Sequence, residues 1–145
     1  MPDGEYVVPI GKAKILREGE DVTLVSWSRM VFIAEEAADK LAVEGIHAEV
    51  IDLRTIVPFG RETVLNSVKK TGRLVVVHEA VEQCGFAAEI ATVVMQEAFA
   101  DLKAPVARVT APNCPSPFSP VLEDAYLPNA EKVIKAVHGC MEYSK

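Results

Sequence analysis

Ser28, Asp52, Arg54, His78, Glu79 and Glu89 are the side chains in this sequence best suited to chemistry, and most of them follow apolar runs. A hydroxyl, a carboxylate, a guanidinium and an imidazole at strand ends are the raw material of acid–base, nucleophilic or anion-binding sites. Asp52 and Arg54 flank Leu53 in the stretch Val-Ile-Asp-Leu-Arg-Thr-Ile-Val-Pro that closes at Pro58. Alternate residues of a strand share a face, so the two charges are expected to point the same way and form an ion pair. Pro58 bars a helix just before it. The pair either builds part of a site or only closes the strand end, and spacing alone leaves both open.

Other arrangements are weaker. Ser28, His78 and Glu79 suggest nucleophile, base and orienter, but no Gly-x-Ser-x-Gly turn is present. Glu79 also adjoins His78, so in a strand it leaves on the opposite face. Cys84 precedes Gly85 at an expected helix start, where a thiol could be activated, but a small buried or capping residue is the expected role. His47 and His138 lie far from any metal-ligand spacing. No Gly-x-Gly-x-x-Gly or Gly-x-x-x-x-Gly-Lys loop follows a strand. Trp27-Ser28-Arg29 stands where a receiver domain would need an acidic pair.

The elements that must position these residues alternate. Residues 1–10 read as a linker or tail, and 11–145 as one domain. Lys12–Arg17 and Val22–Trp27 are β-type runs joined by Glu18-Gly19-Glu20-Asp21, which reads as a hairpin with an antiparallel edge strand. A helix over about 29–44 carries Met30, Ile33, Ala34, Ala37 and Leu41 at helical spacing, with Ser28 as the expected N-cap and Gly45 as the stop. The strand around Val50 and a short helix to about Lys70 follow, with Val64, Leu65 and Val68 inward. Leu74–His78 is a doubly buried strand. A helix over about 85–102 turns Ile90, Val94, Ala98 and Phe99 to the core, and a strand spans Val106–Val109. Pro112, Pro115, Pro117 and Pro120 predict an irregular loop, and a last helix runs from Ala130 to about Met141. The pattern is a three-layer α/β fold: a five-stranded, mostly parallel sheet with one antiparallel edge strand and helices on both faces. In such sheets, sites favour the carboxyl ends of the strands.

The 145 residues suffice for one core, and the low aromatic content, 6%, means that Val, Ile, Leu and Ala must fill it. A net charge of −6 without a basic cluster argues against nucleic acid. The three cysteines, Cys84, Cys114 and Cys140, contain no Cys-x-x-Cys and fit a reducing compartment. No apolar run reaches membrane-spanning length. Residue by residue, the expectation is a compact α/β domain with a polar edge that another chain completes.

Several stretches, in order, resemble one family: Tyr6-Val-Val-Pro-Ile-Gly-Lys-Ala-Lys, Asp21-Val-Thr-Leu-Val-Ser-Trp-Ser-Arg-Met, Glu49-Val-Ile-Asp-Leu-Arg-Thr-Ile-Val-Pro, Ser67-Val-Lys-Lys-Thr-Gly-Arg and His78-Glu-Ala. With Gly85-Phe-Ala-Ala-Glu-Ile, Ala104-Pro-Val-Ala-Arg-Val and Leu122-Glu-Asp-Ala-Tyr-Leu-Pro, the chain resembles the carboxyl-terminal, transketolase-like domain of the E1 β subunit of pyruvate and branched-chain 2-oxo acid dehydrogenases. The resemblance covers nearly the whole chain. It implies an α2β2 enzyme that uses thiamine diphosphate and magnesium to decarboxylate a 2-oxo acid and pass the acyl group to the lipoyl arm of E2. It implies that this domain serves assembly with E1 α and a second E1 β, and docking of the peripheral subunit-binding domain of E2. It further implies an amino-terminal cofactor domain before Met1, no catalytic, cofactor or metal ligand in this chain, and a cytoplasmic or, in a eukaryote, mitochondrial matrix location. Asp52, Arg54, His78, Glu79 and Glu89 fall on matching motifs and are expected to form a polar network, either at a subunit contact or as internal satisfaction of strand ends. Glu123 and Asp124 either meet a basic E2 module or form a solvated turn. The chain departs from the pattern at Gly60, Gln83-Cys84 and Asn113-Cys114-Pro115, which bears on loop conformation and substrate subtype. A stand-alone α/β interaction or regulatory domain is the alternative reading, and a transketolase or an oxo acid:ferredoxin oxidoreductase shares the fold but less of the wording.

Overall fold

The computed structural model describes residues 6–143. Residues 1–5 of the expected linker lie outside it, and residues 6–9 have no regular structure. The elements are β1 (Lys14–Arg17), β2 (Val22–Ser26), α1 (Met30–Val43), β3 (Ala48–Asp52), α2 (Arg61–Thr71), β4 (Leu74–Val81), α3 (Phe86–Glu97), β5 (Ala107–Ala111), α4 (Pro120–Tyr126) and α5 (Ala130–Met141). The strands lie in the order β1-β3-β2-β4-β5, and only β1 is antiparallel to its neighbour. The expected five-stranded sheet with one antiparallel edge strand is present.

Alternation along the strands splits the core in two. Val22, Leu24, Val50, Val75 and Val77 face α1 and α5, where Ala34, Ala37, Leu41, Val133 and Val137 meet them. Val25, Ile51, Leu74 and Val76 face α2 and α3 and pack on Val64, Val68, Ile90 and Val94. Three small residues, Ala34, Ala37 and Ala38, are fully buried and let α1 lie close to the sheet. Gly72 ends α2 at φ 75°, with its N–H on the Val68 carbonyl, a left-handed cap that a side chain would strain. Asn129 caps α5 by accepting from the Lys132 N–H at 2.9 Å.

Several expectations need correction. The tetrad Glu18–Asp21 does not close a hairpin, because β1 pairs with β3 instead of β2. The turn passes over the start of β3: Glu20 and Asp21 N–H both donate to the His47 carbonyl at 3.1 Å, and the His47 N–H donates to Asp21 Oδ2 at 2.7 Å. A Cβ on Gly19 would lie 2.3 Å from the Ala48 and Glu49 backbone, so the crossing needs glycine. Ser28 is not a cap: its φ is 57°, Arg29 holds the N-cap position, and no side chain caps α1. The third helix stops at Glu97 and a 3-10 turn, Phe99–Asp101, follows, which leaves Phe99 64% exposed instead of in the core. The proline-rich loop is regular at its end, since Pro120 sits in the first turn of α4, where its missing N–H costs nothing.

Candidate functional site

The strand order fixes where a ligand crevice belongs. The connection from β2 leads outward to β3, and the connection from β4 leads outward the other way to β5. Their carboxyl ends flank the switch point of the sheet. Here that crevice is filled by its own side chains. The Trp27 and His78 rings stack at 5.2 Å, and Phe86 meets Trp27 edge-on at 5.7 Å and Phe59 likewise at 5.7 Å. The Ser26 hydroxyl donates to the Val77 carbonyl at 2.9 Å and ties the two strand ends together.

His78 is 1% exposed, and neither ring nitrogen has a hydrogen-bond partner among the described residues. Burial, and then the positive charge of Arg108, push its pKa below the usual value of 6.5, so the ring is held neutral. The Gly85 backbone closes on it: a Cβ there would lie 2.5 Å from His78 Cε1. An imidazole sealed in this way is poorly placed to exchange protons with a substrate.

The expected polar network is not assembled: Asp52 and His78 lie on opposite faces of the sheet, and Ser28, Arg54 and Glu89 lie outside the strands. Asp52 and Arg54 do not form an ion pair. Asp52 Oδ1 accepts the Arg54 backbone N–H at 2.9 Å, and Arg54 adopts φ 59°, which ends the alternation that would have paired the charges. The Arg54 guanidinium instead donates to the Tyr6 hydroxyl at 3.0 Å. Ser28, Asp52 and Arg54 line one cleft of about 540 Å3 together with Tyr6, Glu35 and the 70% exposed Phe32. His78 lies on the other face, with Trp27 and Phe86. Glu79 and Glu89 are exposed and join neither group. The loop after Arg54 is pinned separately: the Gly11 N–H donates to Thr55 Oγ1, and that hydroxyl donates to the Pro58 carbonyl across a cis Val57–Pro58 bond.

A second polar group escaped sequence reasoning. Glu49 is 1% exposed on β3 and pairs with Lys70, which also reaches Glu18 at 3.1 Å. Burial alone would push the Glu49 carboxyl up, but its contacts with Lys70 and Ser67 outweigh it and hold the pKa below 4.5. Beside it, Thr23 Oγ1 meets Ser67 Oγ at 2.6 Å and Thr71 Oγ1 at 2.8 Å. The signal was available, because Thr23, Glu49, Ser67 and Thr71 stand at positions that the strand and helix periods turn inward. This group lies at the amino ends of the strands, away from the crevice, and joins α2 to the sheet. Cys84, expected to be buried or capping, is exposed, and so is Cys114.

Among the described residues no group of three or more His, Cys, Asp or Glu side chains could hold a metal ion. The strand ends also lack a glycine-rich cradle, so these residues do not fit a magnesium-bound diphosphate. No helix among the described residues is long and apolar enough to cross a membrane.

Comparison with known proteins places this geometry. The β subunit of acetoin:2,6-dichlorophenolindophenol oxidoreductase from Cupriavidus necator is 48% identical over 145 residues, covering 100% of this chain and 43% of that protein. The mitochondrial pyruvate dehydrogenase E1 component subunit β of Dictyostelium discoideum is 47% identical over 143 residues, covering 99% of this chain and 40% of that one. A solved split-gene transketolase, described as an inactive β4 tetramer, superposes with a TM-score of 0.84 at 30% identity, over 95% of this chain and 45% of that chain. The chain thus spans less than half the length of the relatives it matches. The family described as "Transketolase, C-terminal domain" matches residues 11–133, and with its mostly parallel five-stranded sheet the chain belongs to that family.

Proposed function

We propose that this chain is the carboxyl-terminal domain of the β subunit of a thiamine diphosphate-dependent E1 oxidoreductase, and that it serves subunit assembly and E2 docking. The observation that carries this reading is similarity along the whole chain to β subunits of such enzymes, at 47–48% identity. A switch-point crevice plugged by Trp27, His78 and Phe86 supports it, since the chemistry then belongs to other parts of the assembly. Thiamine diphosphate and magnesium would be held there, between the α subunit and the remainder of β. The domain would contact E1 α, a second β and the E2 subunit-binding domain, in the cytoplasm or the mitochondrial matrix.

The substrate is a 2-oxo acid or acetoin. The acetoin reading rests on a relative as similar as the pyruvate one. The test is reconstitution of the whole β polypeptide with its α partner and the cofactor. Pyruvate, a branched-chain 2-oxo acid and acetoin are then offered, with dichlorophenolindophenol as electron acceptor. Turnover of one of them is expected, and none from this chain alone. A natural polypeptide no larger than this chain, seen by immunoblot of the source cell, would overturn the reading. One residue can be tested at the same time. Arg54 lines the cleft around Phe32, which supports a role at the subunit contact. Arg54→Ala should weaken association of β with α, read by analytical ultracentrifugation. A lower melting temperature with association unchanged would reduce Arg54 to holding Tyr6.

A further inference from the structure

We propose that Cys84 and Cys114 form a reversible disulfide that staples the loop after β4 to the loop after β5. The two strands run parallel, with Val81 in register with Ala111. Cys84 and Cys114 each stand three residues beyond that pair, in the same chain direction. Parallel neighbours lie about 4.8 Å apart where the ladder ends, so the two loops leave it at a separation inside the about 4.4–6.8 Å that a disulfide spans between Cα atoms. The loops stay together past the end of the ladder. The Gln83 N–H donates to Asn113 Oδ1 at 3.1 Å, one residue before each cysteine. The Arg108 guanidinium on β5 donates to the Glu82 carbonyl at 3.0 Å and to Glu82 Oε1 at 3.1 Å. The Tyr126 hydroxyl donates to the Cys114 carbonyl at 3.2 Å and anchors the second loop to α4.

Both cysteines line one cleft of about 420 Å3, with Gln83, Asn113 and Pro115. Both are exposed, and neither sulfur has a hydrogen-bond partner among the described residues. Cys140 offers the internal contrast. It is 4% exposed, its sulfur lies 3.9 Å from the Pro105 carbonyl, and burial pushes its thiol pKa up. A small oxidant reaches two of the three thiols, and those two share a cleft.

The oxidant is a small-molecule disulfide such as oxidised glutathione. One protein thiolate attacks a sulfur of the oxidant, forms a mixed disulfide and releases one glutathione thiol. The second protein thiolate attacks the protein sulfur of that mixed disulfide and releases the other. Two protein thiols are oxidised to one disulfide, one glutathione disulfide is reduced to two thiols, and the two protons end on the released glutathione. The product closes a covalent ring over residues 84–114, which fixes the loops leading into α3 and α4.

The natural polypeptide, in the assembly in which it is isolated, is treated with oxidised glutathione, blocked with N-ethylmaleimide, digested and mapped by mass spectrometry. The expected result is a linked Cys84–Cys114 peptide pair, two hydrogens lighter than the two thiol peptides, that separates on reduction with dithiothreitol. Cys140 should stay free. Cys84→Ser and Cys114→Ser should each lose the linked pair and carry glutathione on the remaining thiol, with circular dichroism unchanged. Glutathione on both cysteines of the unmodified sequence, cross-links between chains, or two thiols that stay free would each overturn the proposal.

Discussion

At the scale of single residues, two buried titratable groups respond to acid in different pH windows. His78 takes up a proton less readily in the folded chain than its usual pKa of 6.5 would allow. The unfolded chain therefore binds more protons below that pH, and stability falls as the pH drops through 6.5 toward the lower folded value. His78→Gln removes this titration, so the melting temperature should depend less on pH below 6.5, whatever the substitution costs at neutral pH. An unchanged slope would assign acid sensitivity elsewhere. Glu49 acts in the same direction, in a more acidic window. Its folded pKa lies below 4.5, so its contribution is present above that value and is lost as the pH falls through it. Lys70→Ala would leave a buried carboxylate without its cation. Because Lys70 is 40% exposed and water can follow, the expected loss is about 2 kcal/mol, below the range for a fully buried pair. Urea denaturation checks it, and Glu49→Gln should recover part of the loss in the Lys70→Ala background. Asp52 and Arg54 show what was legible at this scale. Their place at the end of a strand was readable, but their pairing was not. It depended on Arg54 leaving the β region for φ 59°, and nothing in Leu53 or Thr55 announces that.

At the scale of elements, periodicity located nearly every strand and helix, and misjudged how they connect. The apolar runs of β2, β3 and β4 marked them as buried strands, but their order in the sheet is not written in them. The hairpin expectation failed because a turn sequence states that the chain reverses and does not name the strand it will lie beside. Glu18–Asp21 reverses across β3, held by the His47 carbonyl, and Gly19 is what allows the approach. Gly19→Ala would place a methyl 2.3 Å from backbone atoms of Ala48 and Glu49, where no flexible side chain can yield. The expected cost is about 2–3 kcal/mol, at the upper end of overpacking losses. Hydrogen exchange should show the lost protection concentrated in β1 and the start of β3. A stable variant with normal protection there would mean that the turn relaxes freely. The last helical segment before β5 failed for a related reason. Ala98 and Phe99 continue the apolar period of α3, yet Ala98 breaks from helical geometry at φ −136° and turns Phe99 outward. Period counts apolar residues and does not see where the backbone changes course.

At the scale of the whole molecule, the surface bears on assembly. α4 buries none of its residues. Phe118, just before it, is fully exposed, and Val121 and Leu122 are 78% and 58% exposed, beside the acidic Glu123 and Asp124. The helix is held at its carboxyl end, by Tyr126 on Cys114 and by Lys132 on the Ala125 and Leu127 carbonyls. An apolar strip with an acidic flank suits a partner that offers apolar contacts and a cation, as the E2 docking module proposed above would. Because nothing in α4 is buried, Glu123→Lys with Asp124→Lys should change stability by no more than about 0.5 kcal/mol. Binding to the E2 subunit-binding domain should weaken about tenfold, close to 1.4 kcal/mol. The ratio between parent and variant should shrink as salt is raised, because exposed charges are screened beyond about 8–10 Å near physiological ionic strength. Calorimetric titration of the reconstituted β subunit and its proposed α partner with that domain reads the affinity and its salt dependence, and urea denaturation reads the stability. A tenfold loss that persists in high salt would assign the effect to shape rather than charge. An unchanged affinity would move the docking face away from α4 and leave this helix to a contact within the E1 assembly.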